Sequence, residues 1–144
     1  MSIKIAIGSD HAGFELKEQL ISYLNSENCS VVDKGCYSLD RADYPDYGHT
    51  VALSVLDKEA EFGILLCGSG NGINMSANKH KGIRAALCWN SEIATLARQH
   101  NDANILVLPA RYITLTEAQK CITVFLSEKF EGGRHQTRID KIDI

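Results

Sequence analysis

Apolar positions along the chain follow two rhythms, which alternate from one end to the other. Ile3–Ile7, Ser30–Asp33, Phe62–Cys67, Ile83–Leu87 and Ile105–Leu108 are runs of strand length. Phe62–Cys67 is apolar without a break, the pattern of a strand covered on both faces of a parallel sheet. Between these runs the spacing is helical. Phe14 to about Ser26 places Leu16, Leu20, Tyr23 and Leu24 on one face. Tyr47 to about Asp57, after the loop Asp40–Asp46, is a second helix, and Asn71 to about Lys79 and Ser91 to about His100 are two more. Thr114–Lys129 is opened by Thr114 and Glu117 at capping-box spacing. Strands alternating with helices predict an α/β, three-layer Rossmann-like fold with a five-stranded parallel sheet and right-handed crossovers. Residues 1–144 form one domain, ending in a polar tail from about residue 130. Ligands of such sheets gather at the carboxyl ends of the strands. Here that edge carries Gly8–Gly13, Gly68–Gly72, Cys88–Asn90 and Pro109–Arg111.

Composition narrows the partners. A chain of 144 residues, 44% hydrophobic, can bury one core without a disulfide or structural metal. A formal charge of -3 supplies no attraction for nucleic acid or an anionic membrane, so neither is expected as a partner. Any bound anion must be caught by local features. The 5 cysteines are odd in number and lack C-x-x-C spacing, which argues against a disulfide framework or a zinc ribbon. The start runs straight into a strand pattern without an apolar leader, and no apolar run reaches membrane-spanning length. A cytoplasmic protein is expected.

Four segments carry candidate chemistry. In Cys67-Gly68-Ser69-Gly70-Asn71-Gly72, glycines between a buried strand and a helix let backbone N–H groups surround an anion. No Gly-Lys-Ser/Thr follows, so this is not a P-loop, and Ile73 stands where a dinucleotide fingerprint needs its last glycine. A thiol directly before such a turn is either a reactive group or a small buried structural residue. Asp10 and His11, in Gly8–Gly13, serve proton transfer or hydroxyl and phosphate binding; alternatively Asp10 only caps the helix. Arg98–Asn104 ends the fourth helix, where basic residues commonly complement the helix dipole. That helix leaves the ligand edge and runs about ten residues, so at 1.5 Å each His100 ends roughly 15 Å away. A catalytic His100 would therefore come from a partner chain. Arg134 and Arg138, four apart, share one face of a helical tail and suit a phosphate, unless they are merely solvated; Arg111 is a further candidate. His49 and His80 are surface or structural, and no spacing announces a metal site.

Taken together, these segments resemble the ribose-5-phosphate isomerase B family, which groups with isomerases of galactose and allose phosphates. The resemblance rests on Gly8–Gly13, Asp43-Tyr44-Pro45, Cys67–Gly72, Asn78-Lys79, His100–Asn104 and the Arg134/Arg138 pair, and it spans nearly the whole chain. It implies a metal-free, cofactor-free interconversion of ribose 5-phosphate and ribulose 5-phosphate through a cis-enediolate. Cys67 is then the carbon base. Family members lacking this cysteine use a glutamate where this chain has Ile73, so the chain looks like the cysteine type. Ser69 replaces a threonine found in some such members and keeps the hydroxyl. The resemblance also implies that His100 and Asp10 assist ring opening. It implies that His11, Arg111, Arg134 and Arg138 hold the phosphate, and that Tyr44 and Asn101 contact the sugar. Gly68, Ser69, Gly70, Asn71 and Gly72 would steady the charge on O1. The sites lie between two subunits of a homodimer; pairing of dimers into tetramers stays open. So do a six-carbon substrate such as allose 6-phosphate and a non-catalytic sugar-phosphate sensor.

Overall fold

A computed structural model describes residues 2–144. Five strands, β1 (Lys4–Ser9), β2 (Ser30–Asp33), β3 (Phe62–Cys67), β4 (Ala85–Leu87) and β5 (Ile105–Pro109), form one parallel sheet in the order β2-β1-β3-β5-β4. Six helices surround it: α1 (Phe14–Ser26), α2 (Tyr44–Leu56), α3 (Asn71–Ala77), α4 (Ser91–Asn101), α5 (Leu115–Ser127) and α6 (Arg134–Ile139).

The central strands alternate their side chains between two cores, as the period of a strand requires. Ile5, Ile7, Ile64, Leu66, Leu106 and Leu108 face α1, α4 and α5. Ala6, Leu65, Cys67, Ile105 and Val107 face α2 and α3. This double burial is why β3 carries no polar residue. It also fixes which way Cys67 points, toward the layer that holds the glycine loop and α3.

The ends of the elements follow local chemistry. Helix α2 begins at Tyr44, earlier than the expected Tyr47, because Asp43 takes the N-cap position and Pro45 falls in the first turn, where its missing N–H costs nothing. Strand β4 starts at Ala85 rather than Ile83, because Arg84 N–H donates to the Asn104 side chain, 2.8 Å away, instead of to a neighbouring strand. Thr114 caps α5 as expected, accepting from Glu117 N–H at 3.1 Å. The Glu117 carboxylate does not reach back to close the box. It accepts from Ser91 N–H at 2.8 Å and ties α5 to the start of α4. Lys17 is fully buried, a feature the pattern does not announce. Its ammonium donates to both oxygens of Asp33 at 2.8 and 2.9 Å and fastens α1 to β2.

Candidate active site

Strand β1 is followed outward by β2 on one side, while the chain then crosses to β3 on its other side. The crevice of a parallel sheet opens at such a reversal, beyond the carboxyl ends of the two strands. Here those ends are Ser9 and Cys67. Asp10 N–H donates to Leu66 C=O at 3.3 Å, so the first loop lies directly beside the end of β3.

Cys67 is 5% exposed at the floor of this crevice. The chain then turns sharply through Gly70, whose φ of 80° is left-handed. A side chain there would be strained, and its Cβ would also run into Leu87. The Ser69 hydroxyl accepts from Asn71 N–H at 3.2 Å. Among the described residues, the N–H groups of Gly68, Ser69 and Gly70 make no hydrogen bond. A thiol followed by unengaged donors is what the glycine spacing predicted.

The first loop supplies Asp10 and His11. Asp10 Oδ1 accepts from Ala12 and Gly13 N–H at 3.0 and 3.2 Å, so the capping role is real. Its Oδ2 has no hydrogen-bond partner among the described residues. His11 Nδ1 lies 3.1 Å from Ala42 N and 3.2 Å from Ala42 O. The Nε2–H tautomer accepts from the first and a ring protonated on Nδ1 donates to the second, so the ring is held either way, and Nε2 has no partner among the described residues. The Ser9 N–H bond to Gly35 C=O, 2.7 Å, draws the β2–α2 connection over this loop.

Two further residues complete the rim. Arg111 N–H donates to Gly68 C=O at 3.0 Å, and its guanidinium lies along Gly68. The Tyr44 ring packs against Gly72 so closely that a Cβ there would collide with it. Cys67, Gly68, Ser69, Gly70, Asn71, Gly72, Asp10, His11, Tyr44 and Arg111 therefore gather at one edge.

His100, Asn101, Arg134 and Arg138 do not. Asn104 C=O, just past α4, accepts from Gly63 N–H at the opposite end of β3, at 2.9 Å. Four residues of strand separate Gly63 from Cys67, about 13 Å at 3.3 Å per residue. His100 lies instead beside α6, and its ring stacks on His135 with centroids 4.3 Å apart. Arg134 and Arg138 are exposed on that same helix. One chain thus places the two groups of candidate residues at opposite ends of β3, as the reach of α4 predicted.

His49 and His80 have the structural role expected of them, whereas one further cluster was not foreseen. His49 Nδ1 and His80 Nε2 bond to each other at 2.7 Å, tying α2 to the turn after α3. Burial and the nearby His49 hold His80 below the usual imidazole range. Glu131 and His135 join His100 into one cluster, although no spacing rule announced a group of metal-ligating residues. The four-residue interval from Glu131 to His135 was the only available signal, and Gly132 and Gly133, both at positive φ, hide it by breaking the helical pattern.

Two further buried thiols, Cys88 and Cys121, are hard to ionise. Burial pushes Cys88 and Cys121 up to about 12. A thiol whose proton is held more tightly when folded favours the native state below its unfolded pKa, and that contribution is lost as pH rises toward the folded value. Thermal stability should therefore fall between pH 9 and about 12. At pH 8, native protein treated with iodoacetamide should carry no label on Cys88 or Cys121 by peptide mass spectrometry, and both should label in urea. Native labelling of either would contradict their burial.

Comparison with known proteins identifies the family and the fold. The family model described as Ribose/Galactose Isomerase matches residues 5–142. Ribose-5-phosphate isomerase B of Escherichia coli is 45% identical over 139 residues, 96% of this chain and 93% of that protein. The crystal structure of a ribose 5-phosphate isomerase from Thermotoga maritima superposes with a TM-score of 0.98 at 54% identity, covering 99% of both chains. Ribose-5-phosphate isomerase B of Mycoplasma genitalium, solved with bound ribulose-5-phosphate, gives 0.92 at 46% identity over 99% of this chain and 95% of that one.

Proposed function

The chain belongs to the ribose/galactose isomerase family, and we propose that it interconverts ribose 5-phosphate and ribulose 5-phosphate with Cys67 as the carbon base. The observation that carries the reaction type is the thiol at the β1/β3 crevice, followed at once by backbone donors without partners. The ribulose-5-phosphate held by the Mycoplasma genitalium relative favours a five-carbon substrate over a hexose phosphate.

The chemistry follows from the geometry. Ribose 5-phosphate is mainly a closed ring, so an acid and a base must first act on its anomeric hydroxyl and ring oxygen. Asp10 Oδ2 and His100 take those roles. Cys67 as thiolate then removes the C2 proton of the open aldehyde and returns it to C1, through a cis-enediolate, while the proton on O2 passes to O1. Charge that builds on O1 during this transfer meets the N–H groups of Gly68–Gly72 and the Ser69 hydroxyl. These donors are fixed by the turn before substrate arrives, so little reorganisation is needed. Tyr44 and Asn101 contact the sugar. His11, Arg111, Arg134 and Arg138 hold the phosphate, whose binding energy positions carbons remote from it. None of these steps calls on a cofactor.

His100, Asn101, Arg134 and Arg138 reach the crevice when they come from a second copy of the chain. The functional unit in this reading is a homodimer with two shared sites. Five unpaired cysteines suit a reducing cytoplasm, and no helix among the described residues is long and apolar enough to cross a membrane.

Incubation with ribose 5-phosphate in deuterated water tests the activity. Ribulose 5-phosphate should form with solvent deuterium at the transferred position, and kcat/KM should exceed that for allose 6-phosphate. Binding of ribose 5-phosphate without conversion would make the protein a sensor, and faster turnover of the hexose phosphate would shift the substrate.

A further inference from the structure

At the edge remote from Cys67, the fold gathers three groups that share one chemical aptitude. His100 ends α4, His135 lies in the first turn of α6, and Glu131 stands in the link before it. Their potential ligand atoms all lie within 4.8 Å of one another. Glu131 Oε1 is 3.7 Å from Nε2 of both histidines. The two rings are parallel to within 9°. The link is not loose, since Glu131 N–H donates to Gln99 C=O at 3.0 Å and holds it against α4.

Two imidazoles and a carboxylate are a ligand set for zinc and similar transition ions. Magnesium prefers an all-oxygen shell and is poorly served here. A tetrahedral zinc with bonds of about 2.0–2.1 Å spaces its ligand atoms about 3.4 Å apart. Both contacts of Glu131 are close to that spacing already. The remaining gap, between the two histidines, closes if the His100 ring turns. That ring is 38% exposed, and Glu131 is exposed enough to follow it. Three protein ligands leave a fourth corner open to water.

We infer that His100, Glu131 and His135 bind a divalent transition ion of the zinc type, and that occupancy withdraws His100 from ring opening. The second part rests on the role proposed for His100; the site itself does not. Arg134 and Arg138 stand on the same short helix and oppose a dication, so binding is weaker than at a structural zinc site. The bound ion acts as a reversible brake on the isomerase and takes no part in its chemistry.

Calorimetric titration with zinc chloride tests the binding. A Cys67→Ala background removes the nearest competing thiol of the crevice. That protein should bind about one zinc ion per chain. Adding Glu131→Gln or His135→Gln should weaken the binding at least about tenfold. Glu131 is exposed, so matching thermal melts will show that its variant is folded. Unchanged affinity in both double variants overturns the site, as does equal competition by magnesium. In the wild-type protein, zinc should slow turnover of ribose 5-phosphate reversibly, with recovery on chelation. Zinc bound at these residues with undiminished turnover overturns the brake. The calorimetry decides the site even for a protein that proves not to be an isomerase.

Discussion

Replacing Cys67 with alanine should lower kcat by at least about a thousandfold and leave KM within a few-fold of its starting value. The magnitude is that of a general base removed from a proton transfer, about 10²–10⁴ in rate. The upper part of that range applies because no neighbour can take over. Ile73, where a carboxylate would stand in other members of the family, is fully buried in the same apolar cluster as Cys67. The Asp10 carboxylate has one oxygen committed to Ala12 and Gly13. The phosphate binding proposed for His11 and Arg111 should be untouched, since both are positioned by Ala42 and Gly68 rather than by the thiol. The fold tolerates the change as well, because alanine keeps the strand and loses a single sulfur atom. Two measurements separate the outcomes. Initial rates give kcat, and calorimetry with ribose 5-phosphate gives affinity for the inactive protein. Turnover within tenfold of wild type would remove Cys67 from the mechanism. Loss of affinity in step with loss of rate would make it a binding residue instead.

That prediction rests on a site whose two halves differ in legibility. The Cys67 half was legible because each part is local. An unbroken apolar run demands a doubly covered strand, and glycines demand a tight turn at its end. The sheet rule then says which end matters. The left-handed Gly70 bears out the tight turn. The strands and α1 were legible for similar reasons, down to the bounds of α1, β2 and β3. The other half was only partly so. Helix length placed His100 far from Cys67, but nothing local revealed what His100 meets. Its stacking on His135 joins residues 35 positions apart by arithmetic on their numbers, across two glycines that interrupt any periodicity. Lys17 with Asp33 is a second example. Helical spacing puts Lys17 near the apolar face, but only the paired carboxylate, brought by β2, makes its burial affordable. Contacts made through the whole topology leave no trace in a short window of sequence.

A mixed dimer that carries Cys67→Ala on one chain and His100→Gln on the other should retain about half of the wild-type turnover, although each parent homodimer is nearly inactive. Two-fold symmetry gives the arithmetic. When every site takes Cys67 from one chain and His100 from the other, one site of the mixed dimer collects both substitutions. The second site then has the native residues at both positions. With both residues from the same chain, each site would carry one substitution and the mixed dimer would be as inactive as its parents. The structure favours the first arrangement, because Asn104 pairs with the start of β3 while Cys67 lies at its end. His100→Gln should not disturb folding, since that side chain is 38% exposed. Co-expression with two different affinity tags isolates the mixed species. Tandem purification followed by initial-rate assays then gives the fraction retained. Activity no higher than that of the parents, or a protein that proves monomeric by sedimentation, would return His100 to a role within its own chain. Recovery to about half would assign each site's ring-opening histidine to the opposite chain, and would make Arg134 and Arg138, carried on the helix that packs beside that histidine, the partner's contribution to the phosphate site.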